Sequence, residues 1–180
     1  MVYIFLADGF EETEAIAPCD ILKRGGIDAR FCSIYPERKE VIGAHGIKIV
    51  CDCLFNDLSD AEMLVLPGGM PGTRNLQKCE FLHQKMLDQF NSGKLVAAIC
   101  AAPTVLGAWG MLADKKATCY PGMEDELYAK TYLNSPSVRD GNVITGKGAG
   151  AAFDFGLMLL EALTDKETAD KIKNSMYIER

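Results

Sequence analysis

The sequence predicts an α/β domain in which a mainly parallel sheet is covered by helices on both faces. Three observations predict it. Short apolar runs alternate with helix-length segments along the chain, the order that builds parallel sheets. Three of these runs, Val2–Leu6, Met63–Leu66 and Leu95–Ile99, read as strands of buried character, and each is followed by a loop and a helical pattern. No linker, repeat or low-complexity stretch divides the 180 residues, so residues 1–180 read as a single domain. A chain of that size buries roughly 70% of its unfolded surface.

Each element has a local reason. After the first strand, an acid-rich loop leads into a helix from about Glu12 that Gly25-Gly26 stops. Residues 29–35 form the second strand, and residues 41–50 an extended pair broken at Gly43 and Gly46. The strand ending at Leu66 is stopped by Pro67-Gly68-Gly69. Residues 80–90 place Leu82, Met86 and Phe90 on one helical face and run out at Gly93. Beyond Ile99 come Cys100 and a helix starting near Pro103, a residue suited to an early helical position because it has no donor to lose. Residues 138–144 form a hairpin around Asp140-Gly141. Residues 153–163 are apolar nearly all round, a buried helix, and Thr164 to Glu167 is a capping-box start for the last one.

Composition narrows the function classes. With 48% hydrophobic and 24% charged residues the chain is globular rather than disordered. Its 19 basic against 25 acidic residues leave a net charge of −6, and the longest run of like charge is the three acids Glu124-Asp125-Glu126. That balance argues against nucleic acid or an anionic membrane as partner. Residues 95–113 carry no charge, but Pro103, Gly107 and Gly110 interrupt them, and a strand followed by a buried helix explains them better than a membrane span. The apolar start lacks the basic lead-in and the length of a signal peptide, so the expected compartment is the cytoplasm. Seven cysteines without a CxxC pair do not make a disulfide framework. Cys51-Asp52-Cys53 reads as two small residues on one face of a strand, and no ligand cluster for a metal is visible.

In such sheets the ligand crevice lies beyond the carboxyl ends of the strands. The rule selects three loops: the one after Leu6, the Pro-Gly-Gly after Leu66, and Cys100 after Ile99. A cysteine on a sharp strand-to-helix turn projects from the sheet edge, nearby N–H groups can bind an oxyanion, and the following helix N-terminus favours thiolate. Gly68 and Gly69 let backbone amides face the same crevice. Of Glu11, Glu12 and Glu14, at least two read as solvated partners of the helix dipole. A carboxyl facing Cys100 would instead share one proton with the thiol, raising its pKa when ionised and donating to the thiolate when protonated.

The strings Gly9-Phe10-Glu11-Glu12-Thr13-Glu14, Leu66-Pro67-Gly68-Gly69 and Ala98-Ile99-Cys100-Ala101-Ala102-Pro103 resemble the ThiJ/PfpI superfamily, and within it the DJ-one and YajL-type branch. The resemblance runs nearly end to end and finishes with Gly146-Lys147-Gly148-Ala149-Gly150. It implies a flavodoxin-like three-layer α/β/α sandwich with Cys100 as a reactive cysteine on a nucleophile elbow and Glu14 as its carboxyl partner. It also implies that Gly68, Gly69 and Ala101 form a backbone oxyanion site, with no cofactor and no metal. A homodimer follows from it too, with His45 in a turn that approaches the partner's cleft and residues near Cys51 by the twofold axis; an exposed turn residue is the other reading of His45. His83 reads as packing at the core edge.

One departure matters. Where family members often carry a His, this chain has Tyr120, which puts a Cys-His pair in doubt. Three readings are therefore open: a glyoxalase or protein deglycase acting on small reactive carbonyls or glycated protein, with a role in carbonyl and oxidative stress; a redox sensor or holding chaperone working through Cys100 oxidation; and a peptidase or amidotransferase-like hydrolase, which Tyr120 disfavours.

Overall fold

The computed structural model describes residues 1–178. In chain order its strands are β1 (Val2–Leu6), β2 (Ala29–Ser33), β3 (Glu40–Ile42), β4 (Lys48–Val50), β5 (Cys53–Leu54), β6 (Met63–Leu66), β7 (Leu95–Ile99), β8 (Lys116–Ala117), β9 (Thr131–Tyr132), β10 (Ser137–Asp140) and β11 (Val143–Gly146). Its α-helices are α1 (Glu12–Arg24), α2 (Gly72–Gln77), α3 (Glu80–Asn91), α4 (Pro103–Ala108), α5 (Ala152–Leu163) and α6 (Lys166–Ser175). A seven-stranded sheet runs β10-β11-β7-β6-β1-β2-β5, and every neighbouring pair in it is parallel except the β10–β11 hairpin. Its five inner strands follow the flavodoxin-like doubly wound order, which turns back between β1 and β6.

The sheet separates two cores. All five residues of β1 are buried, and they alternate: Tyr3 and Phe5 join one cluster, Val2, Ile4 and Leu6 the other. The first cluster is closed by Leu76 of α2, Leu82 and Met86 of α3 and Val105 of α4; the second by Ile21 of α1 and Phe155 and Leu159 of α5. This is the three-layer α/β/α architecture with a mainly parallel sheet that the sequence predicts.

Residues 41–50 form the expected extended pair as a hairpin in which β3 and β4 pair antiparallel, apart from the main sheet, and its turn lies over the start of α1. Three local expectations differ from the structure. Cys51 and Cys53 do not share a face. Cys51 packs into the α1–α5 core and Cys53 into the opposite one, because the chain bends at Asp52 and β5 begins only at Cys53. The cap of α6 is Asp165, whose carboxylate accepts from Thr168 N at 2.7 Å, while the Thr164 hydroxyl turns back to the Leu160 carbonyl of the preceding helix. Helix α5 buries one side only, since Phe153 is exposed and Leu157 and Met158 are half-buried. No helix among the described residues is long and apolar enough to cross a membrane.

Candidate active site

The crevice at the reversal of strand order collects the three loops that the sequence singles out. They are tied by backbone hydrogen bonds: Glu11 N donates to Gly68 O at 2.9 Å, Gly72 N to Gly9 O at 3.1 Å, and Cys100 N to Gly146 O at 2.9 Å. Cys100 follows β7 directly and has φ of +66°, a left-handed conformation that a non-glycine residue adopts at a cost. That turn points the thiol out of the sheet edge rather than along the strand, as in a nucleophile elbow. The pocket in front of it has a volume of about 320 Å³ and is lined by Gly69, Met70, Cys100, Ala101, Tyr120, Pro121 and Met123.

Glu14 reaches this corner from α1 and is wholly buried. Gly68 N donates to its Oε2 at 2.9 Å, while its Oε1, equally buried, has no hydrogen-bond partner. Gly68 is needed for this approach: a Cβ there would lie 2.7 Å from both Cys100 Cβ and Glu14 Oε2. So Gly68 does not offer its amide to an oxyanion; that amide orients the carboxyl. The N–H groups of Gly69 and Ala101 do act on the Cys100 sulfur, and both favour its anionic form.

Electrostatics make the thiol and carboxyl one unit. Burial pushes Glu14 up to about 7, opposed by its hydrogen bond with Cys100 and helped by the nearby charge of Glu11. Burial, and next the Glu14 carboxylate, push Cys100 up to about 12. This corrects the expectation that the helix N-terminus makes Cys100 a ready thiolate. Helix α4 is short and begins only at Pro103, and its field is outweighed by desolvation and by an adjacent negative charge. Around pH 7 the pair passes from two protons to one, the first leaving Glu14, whose carboxyl lies beside the sulfur.

The structure thus brings together Cys100, Glu14, Gly68, Gly69 and Ala101, and leaves His45 elsewhere. His45 sits in the β3–β4 turn, 70% exposed, with Nδ1 2.7 Å from Glu12 Oε2. Its backbone N–H donates to Glu12 Oε1 at 2.8 Å, and Ile47 N adds a longer bond to the same oxygen. Glu12 is therefore buried beneath the hairpin, and only Glu11 behaves as a helix-end acid, capping Glu14 N at 2.7 Å. The expectation that at least two of the three acids are solvated fails because a distant hairpin folds over the first turn of α1. Glu11, Glu12 and His45 lie close enough for their ligand atoms to fall within 4.8 Å of one another. The Glu12 oxygens are already taken by three donors, so the cluster reads as an ion pair rather than a metal site. His83 stacks on Trp109 at 4.7 Å, at the core edge. Among the described residues no histidine lines the Cys100 pocket; Tyr120 lines it instead, and its N–H donates to Cys100 O at 2.8 Å.

A sequence model of the DJ-1/PfpI family matches residues 1–162. This chain belongs to the DJ-1/PfpI family. It is 39% identical over 98% of its length to protein DJ-1 homolog A of Arabidopsis thaliana, but covers 46% of that protein, so it spans less than half of that relative. It is 35% identical over 90% of its length to a Caenorhabditis elegans protein named glutathione-independent glyoxalase DJR-1.2, covering 87% of it. The structure of oxidised Toxoplasma gondii DJ-1 superposes with a TM-score of 0.94 at 30% identity, covering 98% of this chain and 97% of that one. The DJ-1/PfpI architecture accounts for the crevice: the three strand-end loops converge wherever this strand order is kept.

Proposed function

We propose that this chain is a cysteine-dependent enzyme of glyoxalase or deglycase type, working without a cofactor on α-oxoaldehydes or on their adducts with amines and thiols. The observation that carries this reading is the convergence, at one small pocket, of a thiol on a left-handed turn, a buried carboxyl with one oxygen unbonded, and the N–H groups of Gly69 and Ala101. The name of the C. elegans relative supports the same class of substrate.

The chemistry follows from the proton inventory of the pair. Glu14, ionised above about pH 7, accepts the Cys100 proton as sulfur adds to the aldehyde carbon. The C–S bond forms, the carbonyl electron pair moves to oxygen between the Gly69 and Ala101 amides, and the proton passes from Glu14 to that oxygen. Glu14 then removes the proton from the carbon bearing sulfur to give an enediol and returns it to the neighbouring carbon, while the hydroxyl proton on the sulfur-bearing carbon passes to the former ketone oxygen, leaving the thioester of a 2-hydroxy acid. Water cleaves the thioester, the C–S bond breaks and the sulfur recovers its proton. One water is consumed, and the aldehyde is oxidised at the expense of the adjacent ketone. Amide cleavage suits the site poorly, because the amine leaving group needs a strong acid and Tyr120 stands where a His would serve.

Methylglyoxal turnover by the wild type and by Cys100→Ala, each against free thiol at equal concentration, tests the reading. Wild type should exceed free thiol and Cys100→Ala should not. Retained turnover in Cys100→Ala, or none in wild type, sinks the enzyme reading. The redox-sensor reading then takes its place, on the ground that a protonated Glu14 Oε1 would donate to an oxygen of a Cys100 sulfinate.

A homodimer belongs to the same proposal. Ile16 of α1, Ile47 in the hairpin turn and Val50 of β4 are exposed, on a helix face and a hairpin that Glu12 joins, and a second copy would cover them. Light scattering at micromolar concentration should give twice the monomer mass, and a monomer mass would count against it.

A further inference from the structure

Away from the pocket, Cys32 and Cys53 make up a second thiol pair that the proposed reaction does not use. They are register partners on the adjacent parallel strands β2 and β5. Both pack into the same core cluster, so their side chains leave the sheet on one face. Adjacent strands lie about 4.8 Å apart. Directly opposed Cα atoms therefore fall inside the range of about 4.4–6.8 Å that a disulfide spans without moving the backbone. Each sulfur makes only a weak contact with a carbonyl, Cys32 with Ser33 O and Cys53 with Phe31 O, both at 3.7 Å, so neither is committed to a strong partner.

The surroundings favour this pair over others. Strand β5 is two residues long and forms the outer edge of the sheet, where local opening is easier than at an inner strand. Cys51 is no competitor, because it packs into the core on the other side. Burial raises both thiols. Beyond that, their mutual contact holds Cys53 down and pushes Cys32 up, which makes Cys53 the attacking sulfur and Cys32 the one that resolves.

We propose that Cys32 and Cys53 are a redox pair that closes under peroxide into a reversible disulfide, stapling edge strand β5 to β2. The Cys53 thiolate attacks a peroxide oxygen, the O–O bond breaks, and a sulfenic acid forms while the departing hydroxide takes up the thiol proton as water. The Cys32 sulfur then attacks the sulfenic sulfur, the S–S bond forms, and the hydroxyl leaves as water with the Cys32 proton. Two thiols lose two hydrogens and two electrons, and one peroxide becomes two waters. The closed loop contains the β3–β4 hairpin that covers Glu12, so the staple tethers that hairpin and is undone by excess thiol.

The test treats the full chain and its Cys100→Ala variant with hydrogen peroxide, so that the outcome does not depend on the role given to Cys100. Digestion with trypsin and then before aspartate residues, under non-reducing conditions, puts Cys32, Cys51 and Cys53 on three separate peptides by cutting after Arg30, Arg38 and Lys48 and before Asp52. Mass spectrometry should find the Cys32 peptide joined to the Cys53 peptide with the loss of two hydrogens. Dithiothreitol should restore both peptides, and the linked form should melt several degrees higher. The linked peptide should persist in Cys51→Ala and vanish in Cys53→Ala. Should Cys53→Ala fail to fold, the wild-type linkage map decides alone. A linkage through Cys51, or Cys53 carried to an unlinked oxyacid, overturns the proposal.

Discussion

Glu12 and Glu14 stand two residues apart on the first turn of α1, and both are buried, yet they answer burial in opposite ways. Burial pushes Glu12 up, but the His45 ring and the N–H groups of His45 and Ile47 outweigh it and hold the carboxyl below its ordinary range. Glu14 receives one backbone N–H from Gly68, has one oxygen unbonded and lies beside a thiol, so burial wins and its pKa rises to about 7. Glu12 lies under one exposed hairpin turn and Glu14 deep in the crevice, so shallower desolvation and more donors act together to keep Glu12 charged. One glutamate is held charged beneath a hairpin, and the other sits near the point of half-protonation beside a thiol.

The largest test of this contrast is the pH dependence of stability. Glu14 binds its proton more tightly folded, at about 7, than unfolded, at about 4.5. Its contribution is therefore fully present below pH 4.5 and is lost as the pH rises through 7. The difference amounts to roughly 3 kcal/mol, at about 1.4 kcal/mol per pKa unit. Denaturant titrations from pH 4.5 to 8 should show that slope in wild type and lose it in Glu14→Gln. An unchanged slope would mean that Glu14 stays ionised. Next in size, Glu14→Ala should lower methylglyoxal turnover by about 10²-fold, the usual scale for a lost general acid–base group. Wild-type turnover should also fall as the pH drops through about 7, and a rate flat across that range would remove Glu14 as the base.

Glu12→Ala should leave the pH profile of turnover in place and lower stability by about 1 kcal/mol, because it removes the acceptor of two part-buried N–H donors in the hairpin turn. A shifted pH profile would show that the two glutamates are not separate devices. The smallest effect is at His45. Its titration, followed by NMR, should lie above its ordinary value through the hydrogen bond and charge of Glu12 and move down towards that value in Glu12→Gln. Because the ring is 70% exposed, His45→Ala should leave the melting temperature within error.

By itself the sequence determined the alternation of strands and helices, the bounds of β1, β6 and β7, the Asp-Gly hairpin and the three loops at the crevice. These are short-range signals: apolar runs, glycine stops and a proline at a helix start act within a few residues of where they are written. The strand-end rule also placed Cys100 and the Pro67-Gly68-Gly69 turn on one edge, while Glu14 and Ala101 were singled out only by the resemblance of the motif strings. Only the tertiary structure decided what each neighbour does. It assigned the Gly68 amide to Glu14, left Oε1 without a donor and set that carboxyl beside Cys100, so that the proton sharing the sequence left conditional outweighs the helix end. It buried Glu12 under a hairpin some thirty residues away, split Cys51 from Cys53 across the sheet and set Cys53 opposite Cys32. Each of these depends on desolvation and on partners distant in the chain, and neither quantity exists until the chain has closed on itself.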